Sequence, residues 1–157
     1  MTDMIRLVCQ GCDAINRLPP ERLGDRPVCG RCRAQLFPGQ PIALDAARFK
    51  RHLQHDSVPL LVDFWASWCG PCRAMAPEFE AAARRLEPRM RLAKLSTEEA
   101  PEVAQRLRIT GIPLLGLFAD GREVSRRAGA MPASQIVAWA EGALNAPGVT
   151  PPAARAS

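Results

Sequence analysis

The six cysteines of this chain fall into three pairs of identical spacing, Cys9/Cys12, Cys29/Cys32 and Cys69/Cys72. Two thiols held two residues apart can close and reopen a small disulfide ring, or they can offer two ligands to a soft metal ion. Taken alone, a CxxC pair is ambiguous between a redox couple, half of a metal site and a structural disulfide. The residues around each pair have to separate these readings.

Trp68-Cys69-Gly70-Pro71-Cys72 stands where an apolar run ends and a helical period begins. Unsatisfied N–H groups and partial positive charge at a helix N-terminus favour a thiolate, so Cys69 is the expected nucleophile. Cys72, one turn further in, is placed to attack a mixed disulfide at Cys69 and is the expected resolving thiol.

The other two pairs read differently. Sixteen residues separate Cys12 from Cys29, inside the C-x₂-C-x₁₅₋₂₀-C-x₂-C spacing of zinc sites. Gly11 and Gly30 are expected to give each pair the backbone freedom for a tight turn. Leu18-Pro19-Pro20 and Gly24-Asp25-Arg26-Pro27 between the pairs predict turns and no helix. Residues 1–40 carry too little apolar material to fold unaided, and tetrahedral thiolate coordination would supply the stability. The stretch therefore reads as a zinc ribbon holding one structural Zn²⁺ on Cys9, Cys12, Cys29 and Cys32, with no open position for catalysis. The competing arrangement is two disulfides.

Beyond the motif, the chain resembles the thioredoxin family. The resemblance is carried by Val62-Asp63-Phe64-Trp65-Ala66 before Trp68–Cys72, by Ala76-Pro77 after it, and by Gly111-Ile112-Pro113 and Gly129 downstream. It covers roughly residues 41–145, and the extra cysteines bring it closest to the zinc-binding bacterial thioredoxin 2 group. The fold it implies is α/β, a central mixed sheet flanked by helices, with the small ribbon at the front. The activity it implies is a protein-disulfide reductase.

The same resemblance implies site roles. Asp63 would be a buried general base for Cys72, and Lys94 would approach it as a partly compensating cation. Pro113 would be cis. Trp68, Gly70, Pro71, Ile112, Pro113 and Gly129 would meet the substrate. Read without the family, Asp63 could reach a polar edge, Lys94 could be an ordinary strand-end lysine, Pro113 a trans proline and Gly129 a plain turn. Gly70-Pro71 between the thiols is the form that implies reduction over oxidation. The implied partners are oxidised proteins and an NADPH-dependent thioredoxin reductase, so neither NADPH nor flavin is expected on this chain, which is expected to be a monomer. The family usually has threonine after the cis-proline, where this chain has Leu114.

Composition bounds these readings. The chain has 157 residues, 47% of them hydrophobic, enough for one full domain and a small appendage. It contains no apolar run long enough to span a bilayer. Met1-Thr2-Asp3-Met4-Ile5-Arg6 has no apolar core of a secretory signal, so the expected compartment is the cytoplasm, where thiols stay reduced. The formal charge is +5, and four thiolates on Zn²⁺ would bring it to about +3, too mild to require nucleic acid. Residues 1–40 hold six arginines and four acids, with Phe37 the only aromatic, so base-stacking platforms are missing.

The positioning elements follow in order. Residues 37–41 form a proline-stiffened linker. Residues 41–44 predict an edge strand, and Asp45 caps a helix carrying Phe49 and Leu53, with His52 and His55 as exposed polarity near its end. Residues 58–66 are almost continuously apolar, as a central strand covered on both faces should be, with Asp63 the exception. Cys72, Met75, Ala76, Phe79, Ala83 and Leu86 make one helical stripe, interrupted by Pro77. Residues 90–95 predict a strand and 98–107 a helix with Pro101 in its first turn. Residues 114–118 and 123–127 flank an Asp120-Gly121 hairpin signal. Pro132 opens a last helix carrying Ile136, Val137, Ala140 and Leu144, and residues 146–157 are expected to be a disordered tail.

Overall fold

A computed structural model describes residues 3–145; the expectation for residues 146–157 lies outside the described residues. In the first part, β1 (Ile5–Val8) and β2 (Ile15–Leu18) form an antiparallel hairpin. A single 3₁₀ turn at Pro20–Arg22 follows, where no helix was expected. Pro20 stands at its first position, where a missing N–H and a fixed φ cost nothing.

The remaining elements are β3 (Ile42–Leu44), α1 (Ala46–His55), β4 (Leu60–Trp65), α2 (Gly70–Leu86), β5 (Arg91–Ser96), α3 (Pro101–Arg106), β6 (Leu114–Ala119), β7 (Arg122–Ala128) and α4 (Ala133–Leu144). The sheet runs β3-β5-β4-β6-β7, with β3 and β4 parallel to β5, β6 antiparallel to β4, and β7 antiparallel to β6. This is the expected mixed sheet, with β3 at one edge as predicted. Asp45 caps α1 by accepting the Arg48 N–H at 2.8 Å. Asp120 and Gly121 both have positive φ, 54° and 77°, which a two-residue hairpin turn of this hand requires.

The strand alternation divides the core. On one face Leu61, Leu92, Leu115 and Leu117 pack against Met75, Phe79 and Leu86 of α2 and Ile136, Val137 and Ala140 of α4. On the other face Val62, Phe64, Ala93, Leu95 and Phe118 pack against Phe49 of α1 and Val103 of α3. Phe49, Phe64 and Phe118 meet edge to face, with centroids 5.3–6.4 Å apart. Gly116 makes room for them: a Cβ there would lie 3.0 Å from Phe118 and 3.1 Å from Phe64.

Two expectations are corrected. The helix predicted over 98–107 is only Pro101–Arg106, because residues 97–99 are spent on a turn in which the Glu99 N–H binds Ser96 Oγ. His52 is buried, not exposed, at 1% exposure. The hairpin packs against α1, and His52 Nδ1 lies 2.6 Å from Asp56 Oδ2, next to the incoming β1.

Candidate active site and metal centre

Cys69 is the N-cap of α2, and its sulfur accepts the Cys72 N–H at 3.2 Å. Gly70 and Pro71 fill the first helical positions, where proline's missing N–H is no loss. Cys69 and Cys72 are joined by a disulfide, with Cα atoms 5.3 Å apart. Both sulfurs are largely covered, the residues being 4% and 2% exposed. They form a small cluster with Ala66, against which Trp65 and Ile112 pack.

The peptide bond between Ile112 and Pro113 is cis. The Ile112 carbonyl oxygen lies 3.9 Å from Cys69 Sγ. Gly129, at φ 97°, donates its N–H to the Pro113 carbonyl at 2.9 Å. Pro113 and Gly129 are thus tied to one another, with Ile112 against the sulfur. Trp68 is 70% exposed and walls a cleft of about 370 Å³ with Thr97, Ile109, Thr110, Gly111 and Ile112. Leu114, the departure after the proline, packs in the α1/α3 core and not in this cleft.

Asp63 lies fully buried in β4, and neither carboxylate oxygen has a hydrogen-bond partner among the described residues. Burial pushes its pKa up to about 7, while the positive charge of Lys94 pulls the other way. Lys94 is its register partner on β5 and sets its Nζ 4.6 Å from the Trp65 ring centroid. A carboxyl poised near neutrality in the strand that leads into the Cys69 loop can take and return a proton at physiological pH.

Sequence reasoning missed a latch beneath the motif. Ser67 donates both its N–H and its hydroxyl to Glu98 Oε1, each at 2.7 Å, while Thr97 donates its N–H and hydroxyl to the Trp65 carbonyl. These bonds fix the loop that delivers Trp68 and Cys69. A polar Ser before Trp68 was the only signal, and its partner lies 31 residues away.

The other four cysteines also converge. Their sulfurs all lie within 4.8 Å of one another, with Cys9–Cys32 at 3.5 Å and Cys12–Cys29 at 3.6 Å. Those separations are far too long for a disulfide and close to the roughly 3.8 Å edge of a tetrahedron of thiolates around an ion at about 2.3 Å. The two turns repeat one another. Cys9 and Cys29 each donate to a carbonyl five residues on, Ala14 and Ala34, and each accepts from the residue four on, Asp13 and Arg33. Positive φ falls on Asp13 (66°) and Arg33 (68°), not on Gly11 and Gly30 as expected. The Gly11 and Arg31 N–H groups point at the sulfurs of Cys9 and Cys29. The Cys32 peptide N–H leads the contacts that hold Cys29 down at about 6, whereas burial pushes Cys9 up to about 12. Four sulfurs within 4.8 Å of one another, with peptide N–H groups aimed at two of them, are a donor set that fits a thiophilic metal.

The ribbon is clamped to the rest of the chain through a residue that the sequence marked only as strand. Arg91, at 1% exposure, hydrogen-bonds Val8, Gln10, Leu36 and Asp56. Among the described residues no helix is long and apolar enough to cross a membrane.

Comparison with known proteins agrees with this geometry. Residues 40–142 match the family model described as Thioredoxin, and residues 8–34 match the one described as Thioredoxin 2, N-terminal. The chain is 38% identical over 133 residues to Thioredoxin C-3 of Corynebacterium nephridii, covering 85% of this chain and 91% of that protein. It is 36% identical to the chloroplastic Thioredoxin M-type of Chlamydomonas reinhardtii, covering 82% and 94%. Among solved structures, a mutant thioredoxin from Halobacterium salinarum NRC-1 superposes with a TM-score of 0.62 at 27% identity, covering 69% of this chain and 95% of that one.

Proposed function

Since this chain belongs to the thioredoxin family of thiol–disulfide oxidoreductases, we propose that it reduces disulfides in cytoplasmic proteins through Cys69 and Cys72. The observation that carries the reading is the Cys69–Cys72 disulfide at the start of α2, with the Ile112 carbonyl of the cis-proline loop 3.9 Å from Cys69 Sγ; the buried Asp63 of β4, which has no hydrogen-bond partner among the described residues, supports it.

In the reduced protein the Cys69 thiolate attacks one sulfur of a substrate disulfide, forming a mixed disulfide and releasing the other sulfur as a thiolate. Asp63 accepts the Cys72 proton, with Lys94 balancing the carboxylate charge. The Cys72 thiolate then attacks Cys69 Sγ, releasing the second substrate thiolate and closing the Cys69–Cys72 disulfide. Two electrons pass to the substrate. Thioredoxin reductase returns them from NADPH.

The extended substrate segment lies along Trp68, Gly70, Pro71, Ile112, Pro113 and Gly129. The cleft beside Trp68 and the tie between Gly129 and Pro113 support that assignment. Residues 1–40 form the ribbon, with Cys9, Cys12, Cys29 and Cys32 holding one structural zinc ion. Residues 41–145 form the redox domain of a monomer. Bound zinc would supply tetrahedral cross-linking of the two turns, and strong oxidation of its thiolates would release it.

The test is insulin reduction in the presence of thioredoxin reductase and NADPH, comparing wild type with Cys69→Ser. Turnover by the wild type and its loss in the variant are expected. Equal rates in both would refute the assignment. A Cys69/Cys72 potential well above that of the glutathione pool would make the chain an oxidant instead.

A further inference from the structure

Arg91 opens β5 and is almost wholly enclosed. Its Nη1 donates to the Val8 carbonyl at 2.6 Å and to Asp56 Oδ1 at 3.3 Å. Its Nη2 donates to Gln10 Oε1 and to the Leu36 carbonyl, each at 3.0 Å. Three of these four acceptors belong to the ribbon, and Val8 and Gln10 flank the metal-site residue Cys9 on either side. The guanidinium also lies 5.6 Å from the Phe37 ring centroid. The fourth acceptor, Asp56, takes the Val8 N–H at 2.8 Å and faces His52. The redox domain thus carries an interior positive charge whose partners come mostly from the ribbon.

We propose that Arg91 is the joint through which metal occupancy of the four-cysteine site sets the stability of the disulfide-bearing domain. The inference rests on the reading of those cysteines as a metal site. The ribbon has few apolar residues of its own, and small domains of this kind lose their fold with their metal. When the ribbon loosens, Val58 of the redox domain loses its apolar neighbours Ile5, Leu7 and Leu36. That loss is general. The loss at Arg91 is specific: its three ribbon acceptors and the Phe37 ring leave with the ribbon, and charge-assisted bonds made inside the protein are exchanged for water. The strand it destabilises lies between β3 and β4 and carries Lys94, the register partner of Asp63.

All three tryptophans, Trp65, Trp68 and Trp139, lie outside the ribbon, so tryptophan fluorescence reports on the redox domain alone. The experiment follows thermal unfolding of the full chain by that signal, metal-loaded and after chelation, for wild type and Arg91→Met, with metal content measured in each sample. Chelation is expected to lower the wild-type Tm by about 6–12 °C more than that of Arg91→Met, which has no bonds to the ribbon to lose. An equal fall in both, or no fall in wild type, would overturn the proposal. Absence of metal from the untreated protein would instead refute the metal-site reading. Gln10→Ala, which leaves Arg91 and the apolar core in place, covers the case in which Arg91→Met does not fold. It is expected to lower the metal-loaded Tm and leave the metal-free Tm at the wild-type value, and an unmoved metal-loaded Tm would also overturn the joint.

Discussion

Replacing Asp63 by asparagine keeps the shape of the side chain and fixes it in a neutral form, so the variant isolates the cost of the buried charge. The native carboxyl holds its proton up to about 7, against 3.8 for an ordinary aspartate, because burial disfavours the ion. Between those two values the folded protein binds more protons than the unfolded chain, so native stability falls as pH rises. At roughly 1.4 kcal/mol per pH unit, the gap amounts to about 4 kcal/mol. Asp63→Asn should therefore match the wild type near pH 3, exceed it by about 1–2 kcal/mol at pH 5, and exceed it by about 4 kcal/mol above pH 8. Urea unfolding of the oxidised protein across that range, followed by tryptophan fluorescence, measures the difference directly. Glu87, also raised to about 7 by burial, is common to both proteins and cancels. The same variant should resolve mixed disulfides more slowly, since Cys72 loses its proton acceptor. A stability difference that is flat with pH, or that favours the wild type at pH 8, would refute the reasoning.

Three further outcomes are expected. Lys94→Met removes the one charge that pulls Asp63 down, so the carboxyl should titrate at a higher pH than in wild type, as read by carbon NMR of the side chain. Gly116→Ala puts a methyl within 3.0 Å of Phe118 and 3.1 Å of Phe64 and should cost about 1–3 kcal/mol in urea unfolding, without changing the potential of the Cys69/Cys72 couple. Ser67→Ala breaks one hydroxyl bond to Glu98 at the loop before Cys69 and should lower Tm by about 2–4 °C, corresponding to a bond of about 1 kcal/mol, and lower kcat/KM for insulin reduction, because the loop that carries Trp68 and Cys69 loses one of its ties.

The sequence-level signals were strongest where a local rule coincided with a chemical one. The Cys69-Gly70-Pro71-Cys72 helix start, the apolar run broken by Asp63 and the hairpin at Asp120-Gly121 each follow from spacing and turn chemistry within a few residues. The fourfold cysteine cluster was legible because ligand spacing is itself a geometric statement. What the sequence could not carry was contact between distant segments. His52 reads as surface polarity on a helix taken alone, and it is buried only because β1 packs across α1. Arg91 reads as the start of a strand, and its four acceptors lie 35 to 83 residues away along the chain. Glycine was also a misleading guide in the ribbon turns, where Asp13 and Arg33 take the left-handed conformation. The bonds that close each turn are placed one residue beyond the second cysteine, and the backbone demand follows the bonds.

The order of strands in the sheet leaves β7 along one open border, and its sequence places Arg122, Arg126 and Arg127 there, all exposed. Arg126 is held by Glu123 of the same strand, but the strand keeps a net positive charge, so two copies meeting along that border would repel and oppose the backbone pairing on offer. The short β3 leaves little ladder for a neighbour on the opposite side. Both borders of the sheet are thereby poor templates for the strand of another chain.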